Sequence, residues 1–128
     1  MRLLLDTHVF LWLVEGSPKL SSAAQHELAD PRHEFYLSVA SIWELVIKTG
    51  NGKLTLSDPV EIFVTKWVKA YELSLLTISA ADVYHLTKLP DFHRDPFDRM
   101  LVSQAVHADM ALITADTKMS RYSVRILW

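Results

Sequence analysis

Asp6, Glu44, Asp98 and Asp116 are the residues whose placement in the sequence carries chemistry. Asp6 ends the apolar run Leu3-Leu4-Leu5, and Asp116 follows Leu112-Ile113-Thr114-Ala115 in the same manner. Asp98 falls in the first turn of a helix opened by Asp95-Pro96, and Glu44 is expected in the first turn of the helix after Phe35-Tyr36-Leu37. All four sit where a strand hands over to a helix, and in an open parallel sheet that edge is where ligands bind. A modest reading stands beside this for each residue. Asp6 and Asp116 suit N-caps, Ser41-Ile42-Trp43-Glu44 fits a capping box, and Asp98 behind an Asp95 cap complements the helix dipole. One at a time, capping is the stronger reading. Together, caps on neighbouring parallel strands crowd one edge, and two carboxylates about 4 Å apart repel by about 4 kcal/mol at an effective dielectric near 20. Such a group calls for a cation or for shifted protonation. Oxygen ligands without histidine or cysteine select a hard ion, Mg²⁺ or Mn²⁺, suited to phosphodiester chemistry. The pattern alone leaves open whether the four acids meet.

The missing motifs narrow the field further. There is no Gly-rich phosphate loop, no GxGxxG, no GxSxG and no HExxH, so nucleotide hydrolysis, dinucleotide redox, α/β-hydrolase and zincin chemistry lack their signatures. The six histidines are dispersed, none at ligand spacing from another. The absence of cysteine removes disulfides, thiolate metal sites and thiol nucleophiles.

Short runs of Leu, Ile and Val alternate with stretches of helical period, which predicts parallel strands joined by crossover helices in an α/β fold. Strands are expected over Arg2–Leu5, Glu34–Leu37, Leu73–Thr77, Ala111–Thr114 and Val124–Leu127. Helices are expected at about Thr7–Val14, Ser21–Ala29, Ser41–Lys48, Pro59–Glu72, Ser79–Thr87 and Pro96–Ala108, with Asp58-Pro59 and Asp95-Pro96 as the clearest starts. Thr49-Gly50-Asn51-Gly52-Lys53 is a turn that ends one helix and redirects the chain. Nothing marks a linker, so residues 1–128 read as one domain, with a folded surface of roughly 7,000 Å² by size scaling. The net charge of −2 gives no long-range basic field, so any nucleic-acid contact must be local. No apolar stretch approaches the ~20 residues of a membrane span, and Asp6-Thr7-His8 interrupts the only leader-like run; a cytoplasmic protein is expected.

Leu4-Leu5-Asp6-Thr7-His8, Ser41-Ile42-Trp43-Glu44-Leu45, the run from Asp95 through Asp98-Arg99 to Gln104-Ala105, and Leu112-Ile113-Thr114-Ala115-Asp116 closely resemble the four motifs of the PIN domain. Within that family they look most like VapC toxins of bacterial and archaeal toxin–antitoxin pairs. Lys48 and Gly52-Lys53-Leu54 are similar too. The resemblance spans nearly the whole chain and implies a three-layer α/β/α sandwich around a parallel sheet. It also implies an Mg²⁺- or Mn²⁺-dependent endoribonuclease, with RNA as substrate and Asp6, Glu44, Asp98 and Asp116 as the catalytic acids. Asp6, Asp98 and Asp116 would lie closest to the ion, with Glu44 acting through water. A small VapB-type antitoxin and homodimerisation are implied in the same way.

Basic and aromatic residues near the motifs complete the candidates. Arg94 and Arg99 flank Asp98, His93 precedes Arg94, and Lys118 and Arg121 follow Asp116; as a set they are candidate phosphate contacts, and singly each reads as surface charge. Arg99 fits an ion pair with Asp98 equally well. Thr114 offers a hydroxyl to water or phosphate, although a strand-end threonine usually bonds backbone. Thr7–Val14 is apolar nearly all round, so it is either covered within the chain or turned to a partner. With the resemblance in hand, Trp12 and Trp43 are candidates for an antitoxin groove. Rival readings are a phosphohydrolase of the haloacid-dehalogenase type, which Asp6-Thr7-His8 fails for want of a second acid, a non-catalytic binding module on the same fold, and a PIN nuclease of RNA maturation without an antitoxin.

Overall fold

The computed structural model describes residues 1–128. Five strands, β1 (Arg2–Leu5), β2 (Glu34–Ser38), β3 (Ser74–Leu76), β4 (Ala111–Ile113) and β5 (Ile126–Leu127), form one sheet in the order β3-β2-β1-β4-β5. Every neighbouring pair is parallel. Six α-helices connect them: α1 (Thr7–Glu15), α2 (Ser22–Leu28), α3 (Val39–Gly50), α4 (Val60–Ala70), α5 (Ala80–His85) and α6 (Pro96–His107). The accessible surface of 7,387 Å² is close to the size-scaling expectation.

Side-chain alternation along the central strands builds the three layers. Leu3, Leu5 and Ile113 point to one face, where Val9, Phe10 and Leu11 of α1, Ala24 of α2, and Phe63 and Val64 of α4 cover them. Leu4 and Leu112 point to the other, against Leu101, Val102 and Ala105 of α6. Ser103 Oγ in α6 donates to the Asp82 carbonyl of α5 at 2.6 Å, tying that layer together. Because both faces are covered, these strands read as continuous apolar runs. The apolar α1 is thus largely accounted for inside the chain, with Thr7 through Leu11 mostly buried and Trp12 half-buried.

Element boundaries differ from expectation where a competing hydrogen bond decides. α3 begins at Val39 rather than Ser41, because Ser38 Oγ accepts the Ala40 amide and caps it. Ser41 lies inside the helix, buried, and its Oγ accepts from Thr7 Oγ1 at 2.8 Å. The capping box of Ser41 and Glu44 therefore does not exist, and Glu44 sits beyond the first turn. Leu73 is not in β3, since its amide closes the C-terminal turn of α4 on the Val68 carbonyl. Asp58 does not cap α4; Pro59 holds that position without a side-chain bond. Gly52, at φ +77°, takes the left-handed turn after α3 that the glycines of this segment predicted.

Candidate active site

The chain runs outward from β1 through β2 to β3, then returns to the opposite side for β4 and β5, so the direction of winding reverses between β1 and β4. In open parallel sheets, the crevice at such a reversal, outside the carboxyl ends of the strands, is the place for ligands. Leu5 pairs with Ile113, and the Asp6 amide donates to the Ile113 carbonyl at 3.0 Å, so Asp6 and Thr114 leave the sheet side by side. There Asp6, Asp98 and Asp116, with His8, Trp12 and Ala115, line a cleft of about 290 Å³.

Asp6 is 4% exposed and occupies the N-cap position of α1 without making a cap bond. Its Oδ2 instead accepts from Thr114 Oγ1 at 2.7 Å, and its Oδ1 is buried with no partner. Burial raises its pKa above the ordinary carboxylate value; the Thr114 bond opposes this, and the charge of Glu44 adds to it. Asp98 stands at the third position of α6, behind Asp95, whose carboxylate accepts the amides of Phe97 and Asp98. Burial, then the charges of Asp6, Asp95, Glu44 and Asp116, push Asp98 up to about 8. Asp116 has its Oδ1 on the Lys118 amide and its Oδ2 2.7 Å from His93 Nε2. Burial pushes Asp116 up, but the His93 bond and the Lys118 amide outweigh it, and the net shift is downward.

Glu44 is 2% exposed. One of its oxygens lies 2.6 Å from Lys48 Nζ, one turn along α3, and the other is buried without a partner. The Glu44 bond holds the Lys48 ammonium above its usual range. Gln104 fixes α6 to the same sheet edge, accepting from Ser38 Oγ and donating to the Thr77 carbonyl at 3.2 Å. The structure thus brings three acids into one cleft and places the fourth close enough for its charge to act on Asp6 and Asp98. Capping survives only for Asp95 and, as a turn bond to Lys118, for Asp116.

This carboxylate set fits a divalent cation. Two buried oxygens, on Asp6 and Glu44, have no protein partner, and desolvated acids in mutual repulsion are what a small hard ion relieves.

Several secondary candidates stand elsewhere. The Arg99 guanidinium donates to the carbonyls of Pro90 and Leu86 and to Tyr122 Oη. It therefore secures the segment before α6 and neither pairs with Asp98 nor faces the cleft. Thr114 is buried, with its hydroxyl spent on Asp6 and on the Asp116 amide, which makes it a brace rather than a substrate contact. Arg94, Lys118 and Arg121 are exposed. Trp12 lines the acid cleft, whereas Trp43, 58% exposed, packs edge-on to Phe97 over a separate apolar hollow of about 160 Å³. The two tryptophans do not line one groove.

Two features of the site were only partly legible in the sequence. The Glu44–Lys48 pair carried a usable signal, an acid four residues before a base on one helix. His93 entered only as a candidate phosphate contact; four residues separate it from Asp98, and its approach to Asp98 and Asp116 belongs to the fold. An imidazole stands among the carboxylates: one His93 nitrogen and oxygens of Asp98 and Asp116 lie within 4.8 Å of one another.

A parallel α/β domain with carboxylates gathered at its winding reversal defines the class. The PIN domain family model matches residues 3–124, and the chain belongs to that family. Its fold is similar to VapBC2 from Rickettsia felis bound to a promoter DNA fragment, with 16% identity over 98% of this chain and 97% of that one and a TM-score of 0.72. It is also similar to VapBC-1 from nontypeable Haemophilus influenzae, with 20% identity over 98% and 96% and a TM-score of 0.67. FitAcB from Neisseria gonorrhoeae follows, with 15% identity over 97% and 95% and a TM-score of 0.65. Comparison with curated proteins finds no significant match.

Proposed function

We propose that the chain is a single-domain, VapC-type toxin: an endoribonuclease dependent on Mg²⁺ or Mn²⁺, restrained by a small VapB-type antitoxin and acting as a homodimer in the cytoplasm. The observation that carries this reading is the buried, unpartnered Asp6 Oδ1 beside an Asp98 pushed up to about 8. Acids held in that condition are costly unless a cation joins them. Fold likeness to the toxin–antitoxin complexes supports the antitoxin partner. No helix is long and apolar enough to cross a membrane, which accords with the cytoplasmic assignment.

Asp6, Asp98 and Asp116 hold the ion in this reading, with Glu44 contributing through water. When bound, the ion lowers the pKa of water and neutralises charge on the phosphate oxygens. The chain supplies the framework for in-line hydrolysis. Thr114 fixes Asp6, the Lys118 amide fixes Asp116, and the Asp95 cap fixes the first turn of α6 and so Asp98. Arg94 and Lys118, exposed next to these groups, make phosphate contacts that position RNA without selecting its sequence. The test is incubation of purified protein with total RNA in Mg²⁺, in Mn²⁺ and in chelator, alongside Asp6→Ala. Metal-dependent cleavage lost in the variant supports the proposal; equal cleavage in chelator, or by a well-folded Asp6→Ala protein, refutes it.

A further inference from the structure

His93 is the histidine whose ring lies against two of the acids, and both of its ring nitrogens are committed. Nδ1 accepts the Asp95 amide at 3.0 Å. A nitrogen that accepts an N–H bond carries no proton, so the ring proton resides on Nε2. Nε2 in turn lies 2.7 Å from Asp116 Oδ2 and 3.1 Å from Asp98 Oδ2. The side chain is 11% exposed, and the His93 amide donates to Tyr122 Oη at 3.0 Å, so the backbone beneath the ring is also fixed. The N–H is therefore given to Asp116, in the turn after β4, while Asp98 of α6 stands beside the same nitrogen without a hydrogen bond to it.

Proximity alone would make His93 a metal ligand with Asp98 and Asp116. The backbone bond argues against it. A ligating Nε2 needs its lone pair, which moves the proton to Nδ1 and sets it against the Asp95 N–H, donor facing donor. We propose that His93 is a positioning residue: its Nε2–H fixes Asp116 through Oδ2 beside Asp98, so that both acids and the orphaned Asp6 Oδ1 are in place for the ion, which His93 does not touch. This rests on the reading of the cleft as a cation site. An outer donor of this kind orients a ligating carboxylate and sustains affinity for the ion.

Three measurements on the full chain test the assignment. Imidazole ¹⁵N NMR of the metal-free protein should show His93 protonated at Nε2 and not at Nδ1. Mn²⁺ titration should give about 10–100-fold weaker binding in His93→Ala, with most of the loss restored in His93→Gln, whose amide donates but is a poor ligand. Pulsed EPR of the Mn²⁺ complex should show no directly coordinated nitrogen that disappears in His93→Gln. A nitrogen coupling lost in that variant, an Nδ1-protonated ring, or wild-type affinity in His93→Ala overturns the proposal. Failure of the wild-type protein to take up Mn²⁺ at all is a distinct result, which removes the nuclease reading together with the positioning role of His93.

Discussion

Replacing Asp98 by Asn should make the metal-free protein more stable at pH 8 while abolishing cleavage. Asp98 moves from 3.8 in the unfolded chain to about 8 in the fold, so the folded state favours its proton. Its stabilising contribution is complete below pH 4 and lost as pH rises through 8. At 1.36 kcal/mol per tenfold change the full interval corresponds to about 6 kcal/mol, a ceiling. Solvent reaches the 16% of the side chain that is exposed, and screening brings the expected effect to about 2–3 kcal/mol. For a chain of this length that is roughly 6–15 °C in melting temperature. Asp6, raised by burial, adds in the same direction. Asp116, lowered, contributes stability that is lost only as pH falls below the ordinary carboxylate range. The assay is thermal unfolding of wild type and Asp98→Asn in chelator at pH 5 and pH 8, repeated with Mn²⁺. Wild type should melt lower at pH 8 than at pH 5 and recover with Mn²⁺, whereas the variant should show a flatter profile and little response to the ion. A wild-type melting point that does not fall toward pH 8, or an Asn variant that melts below wild type there without metal, would refute the charge-crowding account of the cleft.

Three further outcomes are expected. Thr114→Val strips the bond from Asp6 Oδ2 and the acceptor from the Asp116 amide, and should cost about 1–3 kcal/mol in denaturant unfolding and lower the cleavage rate. Arg99→Ala should lower the melting temperature by freeing the Leu86–Pro90 segment, yet leave the salt dependence of RNA binding unchanged; Arg94→Ala or Lys118→Ala should each reduce that salt slope by about 1. Trp43→Ala should leave stability within about 0.5 kcal/mol, because the ring is largely exposed, while weakening capture of a co-expressed antitoxin measured by calorimetry.

The architecture was legible because each central strand buries both faces: Leu3-Leu4-Leu5 and Ala111-Leu112-Ile113 admit no polar alternation, and such runs need helices above and below. Strand and helix order followed, and with it the common edge that holds Asp6 and Asp116. Illegible were the choices among equivalent local donors. Ser38 and Ser41 are both competent caps, and only the end of β2 decides that Ser38 caps while Ser41 turns inward to Thr7. Arg99 is adjacent in sequence to an acid it avoids, because three acceptors at Leu86, Pro90 and Tyr122 fit its fork better than one carboxylate. His93 reaches the acids from an irregular segment whose path is set by Tyr122, 29 residues away.

Cap chemistry and site chemistry compete for the same atoms, and the cleft shows which prevails. A carboxylate that caps has given an oxygen to backbone amides and has less to offer a cation. Asp95 has made that choice, with one oxygen accepting two amides. Asp6 stands at a cap position and declines it, its Oδ2 drawn to Thr114 and its Oδ1 left bare. Its neighbour Asp98 gains no bond that would repay its desolvation in the absence of an ion, because the amides of its own helix turn are already held by Asp95. The division of labour between Asp95 and Asp98, three residues apart, is what keeps one acid available at an edge where simple capping would have consumed both.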